Sequence, residues 1–236
     1  MNIALIIAGG IGDRMGQDIP KQFINVYDKP IIVYTMEAFQ NHPEVDSIEI
    51  VCLKGWHEVV YAYARQFGIT KLENVVDGGD FGQDSIRNGL QDIFKRHSGD
   101  DIVMIHDATR PMLSQEIITD NIRVCKRYGN AITVVPCTAA MLKTYDSVSS
   151  IEQVPRDNLK TTQTPQSFFL KDILDAHFEA LEKGITKSVA SCTMYIELGR
   201  KLYMSKGSEK NLKLTTTEDI EIFKALLNAK KDKWMH

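Results

Sequence analysis

The stretch "IIAGGIGDRMGQDIPKQF", residues 6–23, follows Ala8 with Gly9, Gly10 and Gly12 and then sets Arg14 and Lys21 on one short loop. Glycine accepts positive φ and lets main-chain N–H groups approach an anion closely, so a glycine turn at a strand end suits phosphate oxygens. A plain tight turn after an inner strand would use the same glycines. Arg14 and Lys21 favour the phosphate reading, because two cations beside such a cradle neutralise charge developing on a transferred phosphoryl group. Pro20 sets the chain direction directly before Lys21. Two familiar phosphate signatures fail. Lys21 arrives too late, after Pro20, for a Walker loop. Met15 stands where the third glycine of a dinucleotide fingerprint belongs, and no acid closes the second strand.

A second cluster lies in "IHDATRP", residues 105–111. Asp107 closes an apolar run, and ligands of open α/β sheets bind beyond the carboxyl ends of strands. A carboxylate there suits a hard cation such as Mg²⁺ bridging substrate phosphates, or it caps the following turn. His106 reads as a packed strand-end residue, since no second histidine lies at metal-ligand spacing. Arg110 either binds an incoming phosphate or pairs with a carboxylate. Lys213, between Leu212 and Leu214 and ahead of a helix start, is either a site cation or an exposed charge.

These groups need a frame to hold them. Short β-branched runs at 2–8, 47–53, 72–76, 101–106 and 131–136 read as strands. They alternate with amphipathic stretches at 31–40, 56–67, 83–95 and 114–128, the last with Ile117, Ile118, Ile122 and Cys125 on one helical face. Helical pattern returns at 170–183 and 188–198, followed by a short strand at 201–205 and a last helix starting near Thr216 or Thr217. Strand–helix alternation implies right-handed crossovers. The expected fold is one α/β, Rossmann-like domain over 1–236, with a mainly parallel twisted sheet, helices on both faces and a protruding β-arm. That arm is 137–163, a polar, turn-rich segment too long for an ordinary connection. Val148, Ile151, Val154 and Leu159 among its polar residues suit two short strands that pair with another subunit.

A net charge of −3 excludes an ordinary nucleic-acid binder, which carries a basic surface. No stretch has the length of a membrane span. Cys52, Cys125, Cys137 and Cys192 are scattered, without a Cys-x-x-Cys pair, and read as reduced thiols in a cytoplasmic protein.

Five blocks carry a resemblance: "AGGIGDRMGQDIPKQF", "GGDFGQDSIRNGL" (78–90), "IHDATRP", "PRDNLKTTQTPQSF" (155–168) and "EKNLKLTTTEDI" (209–220). In this order they resemble the cytidylyltransferases of polyol phosphates, the ribitol-5-phosphate and 2-C-methyl-D-erythritol 4-phosphate enzymes. The resemblance implies CTP held by Ala8, Gly9, Gly10 and Gly12, with cytosine recognised by Gly79, Asp80 and Ser85. It implies catalysis by Arg14, Lys21, Asp107 and Lys213, with Mg²⁺ on Asp107. Arg110, Thr138 and Arg156 are implied for the acceptor, Arg156 reaching from the arm into the neighbouring subunit of a homodimer. Ser85 alone would pass for a first-turn helix residue. "QTPQ" reads as a rigid return into the core rather than chemistry.

Two departures touch the acceptor side. "PCTAAMLK" lacks the family's usual Asp-Thr pair, leaving Thr138 or nothing in its place, and Thr186-Lys187-Ser188 stands where methylerythritol enzymes often carry Thr-Asp-acidic. "AGG" at 8–10 leans to the ribitol type. The expected reaction is CTP plus a polyol phosphate giving CDP-polyol and pyrophosphate. A ribitol acceptor would serve surface-glycan synthesis, a methylerythritol acceptor isoprenoid synthesis. Rival readings are a sugar-phosphate nucleotidyltransferase with another triphosphate, a non-catalytic CTP-binding module, and an NAD-dependent oxidoreductase, which the failed fingerprint disfavours.

Overall fold

The computed structural model describes residues 1–10 and 19–232. The first strand, β1 (Asn2–Ala8), shows how the sheet is made. Its side chains alternate, so Ala4, Ile6 and Ala8 join one core cluster while Ile3 and Leu5 join the other. A strand buried on both faces must be apolar throughout, which is why the run is unbroken.

A small hairpin follows, β2 (Asn25–Val26) and β3 (Lys29–Pro30), then α1 (Ile31–Gln40), β4 (Ser47–Cys52), α2 (His57–Gln66) and β5 (Leu72–Asp77). Next come α3 (Gly82–Phe94), β6 (Ile102–Asp107), α4 (Gln115–Tyr128) and β7 (Asn130–Pro136). The chain continues through β8 (Met141–Lys143), β9 (Glu152–Val154), β10 (Lys160–Phe169), α5 (Leu170–Glu182), α6 (Ser191–Glu197), β11 (Met204–Lys206) and α7 (Thr217–Asp232). Seven strands form the central sheet in the order β11-β7-β10-β6-β1-β4-β5. All its pairs are parallel except those of β10, which runs antiparallel between β6 and β7.

One face is covered by α1, α2 and α4, through Met36, Phe39, Val60, Ile118 and Ile122. The other is covered by α3, α5 and α6, through Leu90, Ile93, Ile173 and Met194. The ends of α4 follow from their residues: Ser114 Oγ accepts from the Ile117 N–H, and Gly129 closes the helix at φ 92°. Helix α7 lays Phe223 against Ile24, Val26 and Ile31 of the hairpin region. All four cysteines are free, and burial pushes the Cys52 and Cys125 thiols up to about 12.

The expected α/β fold with helices on both faces is the fold observed. One strand is new. "QTPQ" reads as a rigid return and 160–163 as the end of the arm, yet both lie in the ten-residue strand β10 ("KTTQTPQSFF") inside the sheet. Pro165 cannot donate to a ladder, and the pairing with β7 shifts register between Thr162 and Gln166 to accommodate it. Polar side chains here are satisfied internally. Ser167 donates to Asn121 Oδ1, and Asn121 Nδ2 reaches Thr133, Ser205 and the Pro165 carbonyl at 2.8–3.1 Å. The two short strands expected in the arm are β8 and β9, which pair with each other from Met141–Val154 to Lys143–Glu152. Because Lys160 already pairs with Pro136, the projecting part is 137–159, and the last four residues of the expected arm belong to the sheet.

Candidate active site

The carboxyl ends of β1 and β6 lie side by side, with Ile7 opposite Asp107, and β10 runs along the far side of β6. Above these ends opens a cleft of about 370 Å³, lined by Ala8, Gly10, Lys21, Asp107, Arg110 and Lys213 among others. Six of the residues expected from the sequence therefore meet in one cavity. Gly12 and Arg14 lie outside the described residues.

The segment after the glycine loop is held by Gln22. Its buried amide donates from Nε2 to the Ala8 carbonyl at 2.6 Å and to the Gly10 carbonyl at 3.1 Å. This ties the β1 end of the loop to the one-turn helix Lys21–Phe23, whose Lys21 lines the cleft. The role of glycine differs from the sequence expectation. Neither Gly9 nor Gly10 has positive φ. Gly9 lies close to Ser85 instead: a Cβ there would stand a tight 3.3 Å from Ser85 Oγ.

Ser85 links the two glycine segments. Its hydroxyl accepts from the Gly79 N–H at 3.0 Å and lies under Gly78, whose Cβ position is 3.1 Å away. A Cβ at Gly79 would meet Asp84 Cβ at 2.4 Å, so only glycine fits there. Gly79 and Asp80 are exposed at the start of α3, and buried Ser85 sets their position relative to β1.

Asp107 is the electrostatic centre. Lys213 Nζ donates to Oδ1 at 3.0 Å and Arg110 Nε donates to Oδ2 at 3.0 Å. Burial alone would raise this carboxyl, but Lys213 and Arg110 outweigh it and hold its pKa below the usual value. Arg110 is fixed again by Nη1, which donates to the Asn211 carbonyl at 2.8 Å. His106, fully buried, supports the strand end as expected for a packed residue. Its Nε2 lies 3.2 Å from the Arg110 carbonyl, which can only accept, so Nε2 carries the proton. Nδ1 then accepts from Thr164 Oγ1 at 3.0 Å, and that oxygen in turn accepts from the Asp107 N–H at 3.1 Å. Burial pushes the His106 pKa down to about 4, so the ring stays neutral.

Thr164 and Asn211 therefore do more than the sequence indicates. Thr164 is the hinge of the Asp107 end, and Asn211 Nδ2 holds the Thr164 carbonyl at 2.8 Å while its own carbonyl receives Arg110. Both sit inside quoted blocks, "QTPQ" and "EKNLKL", but nothing in their immediate neighbours marks them. Thr138 and Arg156 lie elsewhere, at the base of the arm. Exposed Arg156 donates from Nη1 to the Thr138 carbonyl at 2.9 Å, and Thr138 lines a neighbouring hollow of about 270 Å³ that shares Arg110 with the main cleft.

Asp107 is the only carboxylate lining the main cleft among the described residues. No group of three or more His, Cys, Asp or Glu among them can hold a metal. Such a donor set does not suit a transition-metal cage. It fits Mg²⁺ in the mode where one carboxylate and substrate phosphates supply the oxygens.

A glycine-ended first strand opening onto a cleft lined by two lysines, an arginine and one carboxylate suits a nucleotidyltransferase built on an α/β sheet. The family model described as 2-C-methyl-D-erythritol 4-phosphate cytidylyltransferase (IspD) matches residues 2–229. A ribitol-5-phosphate cytidylyltransferase of Lacticaseibacillus paracasei is 40% identical, over 98% of this chain and 99% of that one. A 2-C-methyl-D-erythritol 4-phosphate cytidylyltransferase of Clostridium botulinum is 36% identical, over 96% and 97%. The solved 4-diphosphocytidyl-2C-methyl-D-erythritol synthase of Anaerococcus prevotii shares the fold at TM-score 0.82 and 24% identity, over 96% of both chains. The chain belongs to this cytidylyltransferase family. No helix among the described residues is long and apolar enough to cross a membrane.

Proposed function

We propose that this protein transfers the cytidylyl group of CTP to ribitol 5-phosphate, giving CDP-ribitol and pyrophosphate. The observation that carries the reading is one cleft at the strand ends lined by Gly10, Lys21, Lys213, Arg110 and Asp107, with Lys213 and Arg110 paired to Asp107. A phosphate monoester is already anionic near neutral pH, so its oxygen attacks without a general base. The new bond joins that oxygen to the α-phosphorus, and the bond to the β-phosphate breaks, pyrophosphate leaving with the electron pair. Lys21, Lys213 and Arg14 offset the negative charge gathering on the transferred group. Arg110 binds the acceptor phosphate. Ala8, Gly9, Gly10 and Gly12 carry the triphosphate, and Gly79, Asp80 and Ser85 meet the cytosine. Mg²⁺ held by Asp107 with triphosphate oxygens would add charge neutralisation there.

The ribitol acceptor is favoured by relatives of that name at 37–40% identity over essentially the whole chain. Gly9 and Gly10 after Ala8 lean the same way, while the departures at Thr138 and at 186–188 touch the acceptor side without naming the acceptor. Methylerythritol phosphate is the second reading, favoured by the family model and by relatives at 36–37%. Assaying pyrophosphate release from CTP with ribitol 5-phosphate and with methylerythritol phosphate decides between them. A kcat/KM for ribitol 5-phosphate below that for methylerythritol phosphate overturns the choice.

The arm belongs to the same proposal. Leu142, Val148 and Ile151 are exposed along it, a row of apolar surface that a second copy would bury. Pairing of two arms makes a homodimer in which Arg156 serves the neighbour's acceptor site. Sedimentation at micromolar concentration should show the dimer, and a monomer with full activity ends this part of the reading.

A further inference from the structure

Buried polar groups are almost always hydrogen-bonded, and each exception needs a reason. In the main cleft two exceptions occur together. Gln83 Oε1 and Ser191 Oγ are both buried without a partner, and both residues line the cavity that holds Lys21 and Lys213. Gln83 is 8% exposed and Ser191 1% exposed. Neither is occupied with capping. The first turn of α3 is closed by Asp84, which accepts from the Phe81 N–H, and α6 is closed by Thr193, whose hydroxyl accepts from the Ala190 N–H.

Their setting is distinct in charge. Lys213 and Arg110 contact Asp107 and Lys21 lines the same cleft, the cations that suit phosphates. Gln83, Ile86, Ile105, Gln166 and Ser191 contribute neutral lining to the same cleft. Gln166 is already engaged, accepting from the Cys192 N–H and donating to the Gln163 carbonyl. That leaves one amide oxygen, an acceptor, and one hydroxyl, which both donates and accepts, over an apolar floor. A neutral, polyhydroxylated carbon chain is the ligand chemistry that completes such a lining.

We infer that Gln83 and Ser191 are specificity-determining residues that hydrogen-bond the hydroxyl groups of the acceptor's polyol chain. The inference rests on the proposed polyol-phosphate acceptor and goes beyond it by naming the groups that read the uncharged part. Vicinal hydroxyls also occur on the ribose of CTP, and the two sources are separable by experiment. A site built to bond a hydroxyl discriminates strongly against an analogue lacking it, because its own polar groups are then left unpaired.

The test compares the wild type with Gln83→Leu and Ser191→Ala, using CTP, 2′-deoxy-CTP, ribitol 5-phosphate and a deoxy-ribitol 5-phosphate lacking one chain hydroxyl. Each variant is expected to raise the KM for ribitol 5-phosphate roughly tenfold, the scale of one lost hydrogen bond, with kcat less affected. Preference for ribitol 5-phosphate over its deoxy analogue should shrink by a similar factor, while the Kd for CTP by calorimetry stays within about twofold. Removing an unpartnered buried oxygen should leave Tm unchanged or raise it in Gln83→Leu, which separates the effect from misfolding. An unchanged acceptor KM in both variants overturns the inference while leaving the reaction intact. Loss of the preference for CTP over 2′-deoxy-CTP assigns the residues to the ribose and equally overturns it. A wild type that releases no pyrophosphate with any polyol phosphate defeats the proposed reaction itself, and this inference with it.

Discussion

Asp107→Asn separates two jobs that one carboxylate can do. In the structure Asp107 neutralises Lys213 and Arg110, each through a 3.0 Å contact. Asn keeps the size and an acceptor oxygen but removes the charge. A unit charge about 5 Å from a phosphate in a water-accessible cleft is worth about 0.8 kcal/mol, or roughly a fourfold change in affinity. Without metal, the variant should therefore bind CTP about fourfold more tightly, because an opposing charge is gone and two cations are released toward the triphosphate. With Mg²⁺ the sign reverses for turnover. If Asp107 helps hold the ion, kcat should fall on the order of 100-fold, the scale of losing one preorganised charge contact. Calorimetry in a chelator reads the first effect and pyrophosphate release with Mg²⁺ the second. Weaker metal-free CTP binding would refute the electrostatic reasoning, and turnover within threefold of wild type would remove Asp107 as a metal ligand.

Lys21→Ala should lower kcat by about 10²- to 10³-fold, read by pyrophosphate release; near-normal turnover takes Lys21 out of the mechanism. Gly79→Ala must push Asp84 away from a 2.4 Å overlap, so CTP KM should rise and Tm should fall by several degrees. Gly10→Ala meets no atom within 4 Å and should keep its Tm while weakening CTP; equal melting of Gly79→Ala and wild type would contradict the packing argument. Acid should destabilise the protein through its buried histidines. Burial pushes His106 and His177 down to about 4 from an ordinary 6.5, so the native state excludes their protons. That stability is complete above 6.5 and is lost as pH falls toward 4. At pH 5 the two together cost on the order of 4 kcal/mol, roughly 10 °C in Tm. His177→Gln should remove about half of the loss, and a Tm that holds steady from pH 8 to 5 would rule the account out.

Most of the frame was legible because β1, β4, β6 and β7 are short, mostly apolar and β-branched runs, as a sheet covered on both faces favours. The glycines at 9 and 10 were legible from their place directly after the first strand, and Gly9 does sit close to Ser85. β10 was hidden. Its interior positions Gln163, Thr164, Gln166 and Ser167 are polar and are satisfied by partners more than thirty residues away in most cases, such as Asn121, His106 and Asn211. Hydrophobic periodicity has no access to such distant pairing, and Pro165 argued against a strand. Asp107, Arg110 and Lys213 could be listed from their blocks, but not their mutual ion pairing, which depends on bringing residue 213 beside residue 107. Gln83 and Ser191 carry no local mark at all. Only burial without a partner distinguishes them.

The antiparallel strand has a consequence for synthesis. β6 and β7 never touch in the sheet order, because β10 lies between them. When the ribosome has made the chain through Pro136, both strands therefore present an open backbone edge, and the piece that seals them is still to be translated. Nascent chains stalled before residue 160 should be the sticky ones, prone to pair edge to edge with each other. Once residue 169 has emerged, a single strand welds the two halves of the sheet and brings Thr164 against the Asp107 end in the same stroke.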